Sequence, residues 1–330
     1  MRPKAKSSKH GLDIVDKSDN TSSRGQLFFT GVEKKKEKVF QKEEDNNEKV
    51  LEILNELDEL IGLASVKELV YEIKAFIEIQ RKRIAENLVS EPSVLHMIFK
   101  GNPGTGKTTV ARVLGRLFKE INVLSKGHLI ETERADLVGE YIGHTAQKTR
   151  EQLKKAYGGI LFIDEAYSLA RGGEKDFGKE AIDTLVKAME DQKDNLILIL
   201  AGYKKEMDEF INTNPGLKSR FPIFIVFPDY NISELLQIAD QMLRQRQYEL
   251  TDGAKKALKR IVELKTGKGH EHSGNARLVR NIIEKAMRRQ AVRLVKKDQI
   301  TREDLILMEE ADIEEARKIC VVQDLKKDFV

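Results

Sequence analysis

The sequence predicts an α/β domain, with a parallel β-sheet covered by helices on both faces, followed by a small all-α domain. Three observations lead there. Five short apolar runs, LHMIFKG, GHLIE, GGILFID, NLILILAG and IFIVFPD, alternate with stretches of helical periodicity; strands separated by crossover helices form parallel sheets. The first run leads directly into GNPGTGKTT, a glycine-rich loop that opens a helix. After Pro228 no strand-like run remains, and apolar residues recur only at three- and four-residue spacing.

Taken in order, residues 1–48 are polar and charged, with apolar residues too scattered for a core, and read as an N-terminal arm. From VLEILNELDELIGL through SVKELVYEIKAFIEIQRKRIAENL the spacing predicts two amphipathic helices joined around Ile61-Gly62-Leu63, a lead-in over 49–90 that Pro92 ends. The alternating strands then extend the α/β domain to residue 229, with helices in TVARVLGRLFKEI, TAQKTREQLKKAY and EAIDTLVKAMED. SELLQIADQMLRQRQ, GAKKALKRIVELK and ARLVRNIIEKAMRRQAVRLVKK supply the helices of the last domain, 230–330.

Composition excludes several classes. A net charge of +4 among 112 charged residues, with basic and acidic side chains interleaved, does not mark a dedicated nucleic-acid binder. One cysteine, Cys320, allows no internal disulfide and suits a reducing compartment. No stretch of about 18 apolar residues and no signal-peptide pattern occurs, so a cytoplasmic protein is expected.

GNPGTGKTT matches G-x-x-x-x-G-K-[ST] between a strand and a helix. Gly101, Asn102, Pro103, Gly104, Thr105, Gly106, Lys107, Thr108 and Thr109 are therefore expected to bind the phosphates of ATP: glycines let backbone N–H groups converge, and Lys107 adds a full charge. The Thr108 hydroxyl is a ligand for Mg²⁺. GGILFIDEAY ends a buried strand in two carboxylates, and ligands gather at that edge of a parallel sheet. Asp164 is placed to hold Mg²⁺ and Glu165 to polarise the attacking water.

These motifs, together with HLIETERADLVGEYIGHTAQKT, ILFIDEAYSLARGGEKDFGKEAID and LILAGYKKEMDEFINTNPGLKSRFP, resemble the AAA+ ATPases over roughly residues 50–310, and among them the CbxX/CfqX family. That family includes red-type Rubisco activases and a sporulation protein. The resemblance implies a P-loop three-layer αβα domain with an all-α lid, assembled into a ring, commonly a hexamer, that remodels a protein client; similarity to the sporulation member implies a role in spore maturation. It implies that Ile61-Gly62 lies against adenine, that Arg220 is an arginine finger reaching the neighbouring subunit's ATP, and that Arg277 is the lid arginine on the γ-phosphate, with Arg280 a competing candidate. It also places Tyr141 and Ile142, between Gly139 and Gly143, on a channel-facing loop that grips the client, with ARGGEKDFGKE as a second such segment. The polar sensor common at the end of the fourth strand is replaced by Gly202 or Tyr203; Asn212 and Asn214 are the other candidates.

His270 and His272 lack a third ligand and read as a polar loop, and His96, His128 and His144 carry no catalytic assignment. Two other functions fit parts of the pattern: a nucleotide-switched scaffold or loader acting on nucleic acid or an envelope assembly, and a small-molecule kinase. The loader would be indifferent to Tyr141. The kinase would need neither Arg220 in trans nor a helical lid.

Overall fold

The chain divides into two units, Met1–Lys49 and Val50–Val330. The computed structural model describes residues 46–90, 94–141, 143–171, 177–192, 195–266 and 274–317. In the first unit the described residues are helical; the second contains the sheet and the lid. Ile142, His270 and His272, the middle of ARGGEKDFGKE, and nearly all of the proposed arm lie outside the described residues.

The second unit begins with α1 (residues 50–59) and α2 (Ala64–Ala85). Val66, Val70, Ile73 and Ile77 recur at helical spacing and form the buried stripe of α2. Five strands follow: β1 (Met97–Lys100), β2 (Leu129–Thr132), β3 (Ile160–Ile163), β4 (Ile197–Gly202) and β5 (Ile223–Val226), in the spatial order β2-β3-β4-β1-β5 with every pairing parallel. The central strands are apolar, apart from Lys100 at the end of β1, because their alternate residues serve two cores. Met97 and Phe99 of β1, Ile160 and Phe162 of β3, and Ile197 and Ile199 of β4 face the core shared with α2 and α3 (Lys107–Glu120). Ile98, Leu161, Ile163, Leu198 and Leu200 face the opposite core.

That opposite core contains α5 (His144–Ala156), α6 (Gly178–Asp191) and α7 (Lys204–Thr213). The sequence pattern predicts no helix at α7, at the short α4 (Arg134–Leu137) and α8 (Pro215–Lys218), or at the 3₁₀ turn Ala166–Ala170. Single turns offer too few residues for a period. In α7, charged residues hide a buried face of only Met207, Phe210 and Ile211.

The lid has its own core, built by α9 (Ile232–Arg244), α10 (Asp252–Thr266), α11 (Asn275–Leu294) and a helix over residues 310–317, numbered α13 after α12 (Arg302–Ile306). A capping box starts α9: the Asn231 side chain accepts from Glu234 N (2.9 Å), and Asn231 N donates back to Glu234 Oε2 (2.8 Å). One detail departs from an all-helical lid. β6 (Glu249–Leu250) pairs in parallel with β7 (Leu307–Met308). Two-residue strands have no alternation to detect, and this pair exists only because the lid core brings distant segments together. Among the described residues no helix is long and apolar enough to cross a membrane.

His96, just before β1, is a packing residue. It is 4% exposed, its ring lies 5.8 Å from that of Phe221, and its Nδ1 accepts from Leu198 N at 3.1 Å. Burial lowers its pKa from 6.5 to about 4. The folded state holds the ring neutral while the unfolded chain protonates it, so its contribution is complete above pH 6.5 and is lost as pH falls toward 4. Lowering pH from 6.5 to 5 is expected to cost about 2 kcal/mol through this group. Denaturant unfolding at the two pH values should show that loss, and His96→Gln should reduce it.

Candidate active site

Three neighbouring strands end at one edge of the sheet, and their ends make the site. β1 runs into the glycine loop, β3 ends before Asp164 and Glu165, and β4 ends at Gly202, just before Tyr203. Gly101 N donates to Gly202 O (3.0 Å), tying the first loop to the third strand end. A cavity of about 280 Å³ lies between them and the lid, lined by Gly104, Lys107, Thr108, Asp164, Glu165, Tyr203, Arg277 and Arg280 among others.

The loop can take this path only with glycine at particular positions. Gly104 and Gly106 have φ of 75° and 96°, in the left-handed region. Added at Gly101, a Cβ would sit 2.6 Å from Phe227 O, and at Gly104 it would sit 2.6 Å from Gly274 O. Gly106 caps α3 without a side-chain oxygen, so the first N–H groups of that helix remain available to an anion. Lys107 Nζ donates to the carbonyls of Gly101 (2.8 Å) and Asn102 (2.9 Å). Burial pushes Lys107 below the usual lysine pKa; Asp164 and Glu165 oppose this, while Arg277 adds to it. A polyphosphate here would relieve that strain by supplying the missing negative charge.

Asp164 continues β3, its N–H donating to Thr132 O (2.9 Å), and its Oδ1 accepts from Glu165 N (3.0 Å). Glu165 holds φ 46°, a costly conformation for a side chain of this kind, at the start of the 3₁₀ turn. Both carboxylates also line a second cavity of about 570 Å³, bounded by Glu133, Arg134, Glu140, Lys148 and Ser168. Arg134 donates to Ser168 O (2.6 Å) across it.

The remaining candidates divide into those near the cavity and those away from it. Arg277 and Arg280 both line it, so position alone does not separate them. Gly202 and Tyr203 line it as well; Asn214 instead donates to Phe210 O (2.7 Å) at the end of α7, and Asn212 is exposed. Burial raises the Tyr203 pKa, keeping its hydroxyl protonated. Ile61 packs against the lid core; Gly62 (φ 66°) passes so close to α9 that a Cβ would lie 2.6 Å from Glu234 Oε1. Leu63 Cδ1 would lie 3.5 Å from a Cβ at Gly106, so this turn reaches the loop's flank. Arg220 is not among the cavity residues. Its guanidinium pairs with Glu190 and donates through Nη1 to Gly216 O (2.9 Å). Tyr141 is 66% exposed, with its ring 5.5 Å from that of His144.

Sequence reasoning overlooked Asp229, Tyr230 and Asn275. Tyr230 Oη donates to Thr105 O (3.3 Å), and burial with Glu234 nearby raises its pKa to about 12. For Asp229 and Tyr230 the local sign was PDYN after β5, and Asn275 lies two residues before Arg277.

A phosphate loop after β1, a carboxylate pair at the end of β3 two strands away on the same sheet edge, and a helical lid over both define a lidded P-loop ATPase. Residues 97–229 match the ATPase family associated with various cellular activities (AAA), and residues 231–321 match the AAA lid domain. Stage V sporulation protein K of Bacillus subtilis (strain 168) is 56% identical over 276 residues, covering 83% of this chain and 86% of that protein. Protein CbbX of Cereibacter sphaeroides is 48% identical over 245 residues, covering 74% and 79%. The chloroplastic ribulose bisphosphate carboxylase/oxygenase activase of Cyanidioschyzon merolae is 46% identical over 272 residues, covering 81% and 92%. Among solved structures, a Thermotoga maritima RuvB mutant shares the fold, with a TM-score of 0.52 at 21% identity over 80% of this chain and 72% of that one. The protein belongs to the CbxX/CfqX family of AAA+ ATPases, and it is an ATP hydrolase.

Proposed function

We propose that this chain hydrolyses ATP with Mg²⁺ in a ring, of six subunits as in its superfamily, and uses the cycle to pull on a protein client in the cytoplasm. An arm to residue 48, a nucleotide-binding domain over 49–229 and a lid over 230–330 divide the labour. Lys107 and the N–H groups of the glycine loop hold the phosphates. The Thr108 hydroxyl and the Asp164 carboxylate are oxygen donors of the kind and small number that suit Mg²⁺, whose chemistry is to neutralise charge on the phosphate oxygens. Glu165 orients and deprotonates water, Arg277 approaches the phosphates from the lid, and Ile61-Gly62 flanks the base. Arg220 of each subunit serves its neighbour's site.

The observation that carries the remodelling reading is the setting of Tyr141. It is an exposed aromatic beside Glu140, which lines the same cavity as Glu165. At Gly143 (φ 82°) a Cβ would meet nothing within 4 Å, so that side of the loop has room to move. An aromatic tip grips an extended chain by apolar contact without demanding one sequence, and a shift at Glu165 during the cycle reaches it across one cavity. Ile142 is proposed to share that contact. The resemblance to the Bacillus subtilis protein supports spore maturation as the setting.

Tyr141→Ala tests this. Basal ATP turnover is expected to stay within about twofold of the unaltered protein, while client remodelling falls at least about tenfold, as expected for loss of one apolar anchor. The client can be obtained by trapping with Glu165→Gln. Full remodelling activity in Tyr141→Ala would favour the loader reading instead.

A further inference from the structure

The glycine loop and the lid are joined by a polar link that the ATPase assignment does not include. Asn275, the first residue of α11, is 1% exposed and holds φ 44°, a left-handed conformation that asparagine tolerates better than most residues. Its Oδ1 accepts from Tyr230 N (3.0 Å), and its Nδ2 donates to Asp229 Oδ1 (2.7 Å) and toward Pro103 O (3.4 Å). The same Asp229 carboxylate accepts from Asn102 Nδ2 at 3.1 and 2.9 Å. Asp229 therefore stands between an asparagine of the phosphate loop and an asparagine of the lid.

Backbone contacts run alongside. Ala276 N donates to Gly104 O (3.2 Å), so the loop supplies a cap to α11, whose N-cap Gly274 has no side chain to offer. At Gly104, an added Cβ would meet Arg277 N at 2.8 Å. One residue after Ala276 comes Arg277, and one turn later Arg280, both lining the cavity. Where α11 begins thus decides where these two guanidinium groups point.

We infer that Asn275 is a positioning residue which, through Asp229 and Asn102, locks the start of the lid helix α11 to the phosphate loop and so sets where Arg277 and Arg280 meet the nucleotide. Asn275 itself does not line the cavity. It acts through the loop and through α11. The inference rests on the assignment of this cavity to ATP.

Steady-state ATPase kinetics on the full chain test it, beside direct binding of a fluorescent ATP analogue. N275D puts a carboxylate where an amide now donates to Asp229, setting two like charges at hydrogen-bonding distance. The expected result is a rise in KM for ATP of about tenfold, with kcat within about threefold, since ground-state binding is what a displaced loop and lid would weaken. Adding Asp229→Asn reverses donor and acceptor, and the double variant is expected to return KM to within about threefold of the unaltered value. A general packing defect would not be repaired by that exchange. Asn102→Ala cuts the link from its exposed end without burying a charge; it is expected to raise KM about threefold with the thermal midpoint unchanged, and it serves as the test if N275D does not fold. Unchanged KM in N275D or Asn102→Ala, or failure of the double variant to recover, overturns the inference alone. Failure of the unaltered chain to bind the analogue overturns the ATP assignment and this inference with it.

Discussion

Replacing Arg220 by alanine is expected to lower ATP turnover by about 10³-fold or more while leaving each subunit folded and able to bind nucleotide. The size follows from where charge accumulates: the transferred phosphoryl group gains negative charge in the transition state, and a guanidinium delivered to it is worth several kcal/mol of barrier. Arg220 does not line the cavity of its own subunit and instead pairs with Glu190 on the surface. Losing an exposed ion pair costs at most about 1 kcal/mol, so a large kinetic effect would not come from destabilisation. Mixing gives the sharper measurement. Arg220→Ala and Glu165→Gln subunits, each inactive alone, should recover part of the activity when combined, because some seams then join an intact Glu165 to an intact Arg220. Turnover unaffected by Arg220→Ala, or no recovery on mixing, would remove the in-trans role.

Glu165→Gln is expected to reduce kcat by about 10²- to 10⁴-fold, the range for loss of a positioned general base, with ATP affinity changed by less than about threefold. The amide keeps the side chain's shape at a backbone position held at φ 46°, so the loop and the cavity it borders should persist. Single-turnover hydrolysis and equilibrium binding of the analogue separate the two effects. Turnover within tenfold of the unaltered protein would move the base assignment to another group. If the expected pattern holds, the variant stalls with ATP bound and retains the client needed for the Tyr141 experiment.

Legibility in the sequence followed the range of the contacts involved. GNPGTGKTT could be read because strand, loop and helix lie within about a dozen consecutive residues and each residue type answers a local need. The strands were legible because burial on both faces leaves unbroken apolar runs, as in ILFI of β3. Local pattern could not rank Arg277 against Arg280, since both sit on one basic helix and both reach the cavity. Asn214 was a reasonable sensor candidate by position, yet its amide is engaged at the end of α7. The β6–β7 pair had no periodic signature, and its partners are more than fifty residues apart.

By itself, the sequence determined that this chain handles phosphate chemistry at the edge of a parallel sheet, because glycine, lysine and carboxylate placement obey short-range backbone rules. Only the tertiary structure decided how that chemistry is coupled to the rest of the protein. It set Asp229 between Asn102 and Asn275, 127 and 46 residues away in the chain. It kept Arg220 out of its own cavity and left Tyr141 exposed beside a residue that shares a cavity with Glu165. Such juxtapositions depend on how separately folded cores pack, and no periodicity along one segment records them.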